Sequence, residues 1–179
     1  WARSVVASPS GLWLASPALC AGAEPTLRLW RMSDGADFAC GGLGGSIRAL
    51  CWSADSQFLA VASGHVVSLW NFSDGGPAGK RPRRLEMSPV DALAFDRVGE
   101  LLACGCIDGE VFVLSVHSLS LVAQWCMGGR ASKRTSECDR ITHLTWGPEH
   151  VLVASSATGY VSSANVLSVA TCPFESRVQ

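Results

Sequence analysis

The sequence is poor in charge: Asp, Glu, Lys and Arg make up 16% of its 179 residues, with 14 cations against 15 anions and a formal net charge of −1. So even a balance excludes a chain-wide electrostatic attraction to nucleic acid or to an anionic membrane, and charge-driven recognition has to be local. Long apolar runs are also missing. Stretches such as Leu101 to Ile107 fall far short of the roughly 20 residues that span a bilayer as a helix. Trp1 to Val6 lacks the basic, apolar, small-residue order of a secretory leader. The chain opens on Trp rather than Met, which sets the expectation of a piece of a longer protein.

Catalytic and phosphate-binding motifs are absent as well. There is no G-x-S-x-G elbow, no G-x-x-x-x-G-K-[ST] loop and no H-E-x-x-H pair. The glycine run Gly41 to Gly45 lacks the G-x-G-x-x-G spacing and no helical pattern follows it, so it reads as a connecting loop. His65, His117, His143 and His150 do not cluster with acids in sequence. Of the eight cysteines, the one close pair, Cys104 and Cys106, lacks the two-residue spacer of zinc ribbons and redox motifs. Most of the others sit among apolar residues, where a reduced Cys is a small hydrophobe. No cofactor, metal or small-molecule substrate is expected, and no enzyme activity.

What the sequence has in abundance is apolar residues, 48% of the chain, and they recur. Ile47 to Ser63 (IRALCWSADSQFLAVAS) is echoed by Val90 to Cys106 (VDALAFDRVGELLACGC), by Ile141 to Ser156 (ITHLTWGPEHVLVASS) and, more loosely, by Val5 to Pro17 (VVASPSGLWLASP). The first three open on a β-branched residue and reach an aromatic, Trp52, Phe95 or Trp146, before a polar turn and a second apolar run. That is two strands joined by a tight turn.

A third run follows each pair: TLRLW at Thr26 to Trp30, VVSLW at Val66 to Trp70, EVFVL at Glu110 to Leu114, and a weaker YVSSANV at Tyr160 to Val166. Fourth strands are expected within Ala36 to Gly41, Arg83 to Met87 and Leu119 to Trp125. Four strands in about 40–45 residues is the arithmetic of a propeller blade. A sheet with two apolar faces cannot cover either by itself, so successive units have to stack.

These residues resemble the WD-repeat β-propeller family, in divergent form. Trp30 and Trp70 stand where the family's Trp-Asp pair ends the third strand, followed here by Arg31 and Asn71, and Asp108-Gly109 matches its Asp-containing turn. Gly64-His65 falls between second and third strands, whereas the family's Gly-His pair precedes the first, so the family's buried hydrogen-bond network is complete in no unit. The fold class this implies is all-β: a propeller segment of about four four-stranded antiparallel blades, in units of about 1–41, 42–87, 88–127 and 138–170 with an insert at 128–140, belonging to a larger propeller.

The resemblance also implies a function, that of an intracellular scaffold, cytoplasmic or nuclear, whose partners are other proteins or peptides together with the remaining blades. Family partners commonly dock where the first strands begin. The matching positions are Arg48, Asp91 and Thr142, with His65 and Asp108 in neighbouring turns on the same face. A second candidate patch is the basic loop with Lys80, Arg81, Arg83 and Arg84, and a third is the insert Gly129 to Arg140. Strand alternation puts these two basic segments on opposite faces, so they do not form one nucleic-acid groove. A nuclear or nucleic-acid-associated subunit using the basic loops, and a hydrolase on a propeller scaffold, are the alternatives; the sequence argues against both.

Overall fold

A computed structural model of the chain describes residues 5–18, 26–72, 81–127 and 140–167. Its strands form four antiparallel sheets in which neighbours in sequence are neighbours in space. Blade 1 comprises β1 (Val6–Ala7), β2 (Trp13–Ala18), β3 (Thr26–Arg31) and β4 (Asp37–Cys40), and blade 2 comprises β5 (Ile47–Trp52), β6 (Phe58–Ser63), β7 (Val66–Asn71) and β8 (Arg83–Glu86). Blade 3 holds β9 (Val90–Phe95), β10 (Leu101–Cys106), β11 (Glu110–Ser115) and β12 (Leu121–Cys126). Blade 4 holds β13 (Ile141–Trp146), β14 (Val151–Ser156) and β15 (Val161–Asn165). The fourth unit therefore shows three strands among the described residues, which end at Leu167, where four were expected.

Blades 1, 2 and 3 open with the same device. The backbone N–H of Ser8, Ser53 and Asp96 donates to the carbonyl of Trp13, Phe58 and Leu101 respectively. The same three side chains, all buried, accept the N–H of the facing residue, at 3.0, 2.9 and 3.0 Å. A short polar side chain at the end of the first strand thus satisfies the turn's backbone from inside, which is why Ser and Asp are tolerated in the core there.

The seams between blades are apolar. Trp13, Leu27 and Leu29 of blade 1 pack with Trp52, Leu59, Val61 and Trp70 of blade 2. Trp13 and Trp52 both meet Phe72 edge-on, with ring centroids 5.3 and 4.7 Å apart, pairings worth about 0.5–1.5 kcal/mol beyond their buried area. Ala60, Ala62, Val67 and Leu69 meet Leu102, Cys104 and Leu114 at the second seam. Ala103, Val111 and Val113 meet Ile141, Leu152 and Ala154 at the third. The recurring aromatics also bond across the seams: Trp52 Nε1 donates to the Val6 carbonyl at 3.4 Å and Trp146 Nε1 to the Ala94 carbonyl at 3.0 Å.

Gly105 stands in a second strand for a steric reason. A Cβ on Gly105 of β10 would lie 2.4 Å from Ile141 Cγ2 and 2.8 Å from Ile141 Cβ, so only glycine lets β13 approach. The glycine loop between blades 1 and 2 has a similar cause: a Cβ on Gly45 would meet Gly64 Cα at 2.9 Å, and Ser63 Oγ donates to the Leu43 carbonyl at 2.5 Å. That loop seals a seam.

Gly105→Ala is expected to lower stability by about 1–3 kcal/mol through overpacking, and Ile141→Ala, which removes the Cγ2 that an added Cβ would meet, to cost less in the Gly105→Ala background than in wild type. Chemical denaturation of the two single variants and the double variant measures both.

Candidate functional site at the rim of the first strands

The first strands lie side by side, β5 against β9 and β9 against β13, and all three begin at the same end. Each carries an irregularity at the same place. Ile47 pairs with Ser63 and Ala49 with Ala62, leaving Arg48 as an extra residue. Val90 pairs with Cys106 and Ala92 with Gly105, leaving Asp91. Ile141 pairs with Ser156 and His143 with Ser155, leaving Thr142. A bulge residue stands outside the ladder and its side chain is re-aimed. The three positions singled out in the sequence are thus the bulge residues of three successive blades.

Two of them meet. Arg48 Nη1 donates to Asp91 Oδ1 at 2.8 Å, across the seam between blades 2 and 3. The other oxygen of Asp91 accepts from Nε of Arg140, the residue just before β13, so one carboxylate ties three blades together. The Asp91 side chain is 7% exposed, against 35% for Arg48 and 48% for Arg140. Thr142 does not join them: its hydroxyl donates to the Ser155 carbonyl of its own blade at 3.3 Å. Arg140 was seen in the sequence only as the last residue of an insert, and its part in the brace had no signal there. The Arg48–Asp91 pair had one, opposite charges at equivalent positions of adjacent repeats.

His65 is exposed in the turn between β6 and β7, and its carbonyl accepts the Met87 N–H at 2.9 Å. Asp108 Oδ1 accepts the Glu110 N–H at 3.2 Å, which serves the β10–β11 turn. Asp108, Glu110 and Asp91 surround Cys106, whose thiol is pushed up to about 12 by burial first and then by these carboxylates. Cys104 is raised by complete burial and by Cys106. Neither supplies a thiolate at neutral pH. Among the described residues no three His, Cys, Asp or Glu are placed to hold a metal ion, and no helix is long and apolar enough to cross a membrane.

The basic segment divides between a loop and the expected fourth strand. Lys80 lies outside the described residues and Arg81 is exposed just before β8, but Arg83 and Arg84 belong to β8 itself, opposite Leu69 and Ser68. Alternation sends them to opposite faces. Arg83 Nη2 donates to the Val116 carbonyl at 2.5 Å and its Nη1 to the His117 carbonyl, clamping blade 3. Antiparallel order places Arg81 at the exit end of the third strand and Arg140 at the starting end of the first, on opposite faces of the disc. Residues 73–80 and 128–139, which carry the rest of both segments, lie outside the described residues.

The family model for the WD domain, G-beta repeat, matches residues 38–71. Residues 38–71 are a WD repeat. The matched repeat runs from β4 to β7, so it supplies the outermost strand of blade 1 and the three inner strands of blade 2. A comparison with curated proteins finds no match. WD repeats as a class build interaction scaffolds that are generally non-catalytic. In this chain the third-strand tryptophan of blade 2 does not enter a hydrogen-bond network: Trp70 Nε1 is buried with no partner among the described residues, and so is Ser68 Oγ two positions before it.

Asp91→Asn keeps the shape and removes the charge that both arginines face. It should destabilise the WD-repeat fold by about 1–3 kcal/mol, and a double-mutant cycle with Arg48→Gln should give a coupling of at least about 0.5 kcal/mol. The exposed Arg31–Asp34 pair should give near zero in the same assay.

Maleimide labelling of the native chain at about pH 8 should modify exposed Cys126 and spare Cys104 and Cys106. The raised thiols also set a pH trend: above 9, where an unperturbed thiol ionises, the unfolded chain sheds protons that the folded chain keeps up to about 12, so stability should fall over that window. Denaturation midpoints across it check the sign.

Proposed function

We propose that this chain is a non-catalytic scaffold of an intracellular complex, cytoplasmic or nuclear, which holds a protein or peptide partner on the rim where the first strands begin. The observation that carries the reading is the repeated bulge, which turns Arg48, Asp91 and Thr142 out of the ladder at equivalent places while Ile47, Val90 and Ile141 beside them stay buried. The frame is constant and the displayed side chain varies, which suits recognition. The Asp91 brace supports it by fixing three blades relative to one another, so a partner meets a surface whose ordering cost is already met.

Within this reading Arg48 and exposed His65 make contact with the partner, Asp91 acts by holding Arg48 and Arg140, and Thr142 and Asp108 shape the rim through their own turns. Further blades complete the ring; the 69% exposed Val161 on blade 4 supports a sheet face that another sheet covers.

A photo-crosslinking amino acid placed at His65, and separately at Val98 on the opposite face in the turn after β9, tests it in cells. Adducts with a discrete set of proteins are expected from position 65 and lost on Arg48→Gln. Equal adducts from position 98, or adducts from 65 that ignore Arg48→Gln, would reject the rim as the working face.

A further inference from the structure

The basic segment leaves one feature that the rim does not use. Between the outermost strand of blade 1 and the start of β8 lies an open cleft of about 550 Å³, lined by Ala39, Cys40, Gly41, Trp70, Arg81, Pro82 and Arg84. Arg84 faces it because its neighbour Arg83 is turned the other way, onto blade 3. The charged side chains of this lining are both arginines, and no carboxylate among the described residues pairs with either.

The wall behind them is just as one-sided. Trp70 is 7% exposed and its Nε1, a donor with no acceptor capacity, makes no hydrogen bond among the described residues. On the same face of β7, Ser68 is fully buried and its hydroxyl is also unpaired. Cys40 stays an uncharged thiol, raised by burial. Buried donors left without acceptors are costly, and native proteins leave few of them unexplained. Two arginines thus share one cleft with a tryptophan whose indole N–H has no acceptor among the described residues, and what such a lining is short of is an anionic acceptor.

We propose that this cleft is a second binding site, separate from the rim, that takes an acidic peptide segment of a partner protein, with an Asp or Glu carboxylate seated between Arg81 and Arg84 and accepting from Trp70 Nε1. The partner is acidic because the charged groups of the lining are both cations. A carboxylate matches the planar guanidinium forks two oxygens at a time, and the cleft is large enough for one or two side chains.

The test uses the full chain and three fluorescein-labelled hexapeptides of one scaffold, bearing two central Glu, two Gln or two phosphoserines, read by anisotropy. The Glu peptide should bind, the Gln peptide should not, and Arg81→Gln/Arg84→Gln should weaken the Glu peptide at least about tenfold, the loss of one charge-assisted hydrogen bond. In ¹⁵N spectra the indole cross-peak that disappears in Trp70→Phe should move on addition of the Glu peptide, while that of Trp125, buried and unpaired in blade 3, stays. Circular dichroism confirms that the surface double variant folds. Equal binding of Glu and Gln peptides, binding of the phosphoserine peptide alone, an unmoved Trp70 signal, or an equal loss in Arg48→Gln at the rim would each overturn the proposal.

Discussion

Everything in this molecule depends on the seam between one sheet and the next. A four-stranded sheet that is apolar on both faces is unstable in water, and the chain resolves this by turning each face against a neighbour, so that Leu27 and Leu29, Val67 and Leu69, Val111 and Val113 each disappear into a different seam. Because the seam is shared, neither blade is complete without the other. The matched WD repeat expresses the same dependence covalently: its first strand, β4, belongs to blade 1 and its other three to blade 2. The indole bonds from Trp52 and Trp146 to the carbonyls of Val6 and Ala94 then fix the sliding register, which apolar contact alone leaves soft. In blade 3 that place is held by Phe95, which has no donor, and it is at this same seam that the Arg48–Asp91 pair appears.

That substitution suggests how the rim gained its charges. A nearly buried carboxylate stabilises a fold weakly, since its desolvation offsets most of the attraction it gains, but it penalises every arrangement that leaves it unpaired. Asp91 therefore acts more on geometry than on stability, holding blades 2, 3 and 4 at the one spacing that brings both arginines to it. The bulges make this possible. In a regular ladder a residue between Val90 and Ala92 would point into a neighbouring blade; displaced from the ladder, it reaches the end of the disc, where ions from adjacent strands can meet.

How much of this was readable from the sequence follows from the range of each interaction. The repeats, the order of strands and the aromatics of the seams were legible because they are written in local periodicity and spacing, and Asp108-Gly109 and the Ser-Ala-Asp-Ser turn announce themselves by chemistry. Arg48 and Asp91 were picked out by their place in the repeat, yet the reason they work, an extra residue opposite Ser63/Ala62 and Cys106/Gly105, is a property of strand pairing that no single strand displays. Arg140 was hidden because its partner is 49 residues away. Arg83 and Arg84 were read as one basic cluster, since composition adds neighbouring charges, whereas a strand separates them. Gly105 looked like a spacer between two cysteines, and only Ile141, whose Cγ2 would lie 2.4 Å from an added Cβ, explains it.

The departures from the family pattern are the places where this chain has room for functions of its own. In a blade with the family's full complement of polar partners, the tryptophan closing the third strand is held by a network and is spent on stability. Here Asn71 follows Trp70, His65 stands in the wrong turn to reach it, and the indole N–H is left over. Stability at that seam comes instead from Trp13 and Trp52, both packed edge-on against Phe72, a contact between rings that needs no hydrogen bond. An apolar seam can tolerate an unused donor at its margin, and two arginines brought to the same margin by β8 turn that donor from a defect into a recognition element. The cleft thus arises where packing has taken over the work of the missing polar network and left the buried Trp70 Nε1 and Ser68 Oγ without partners among the described residues.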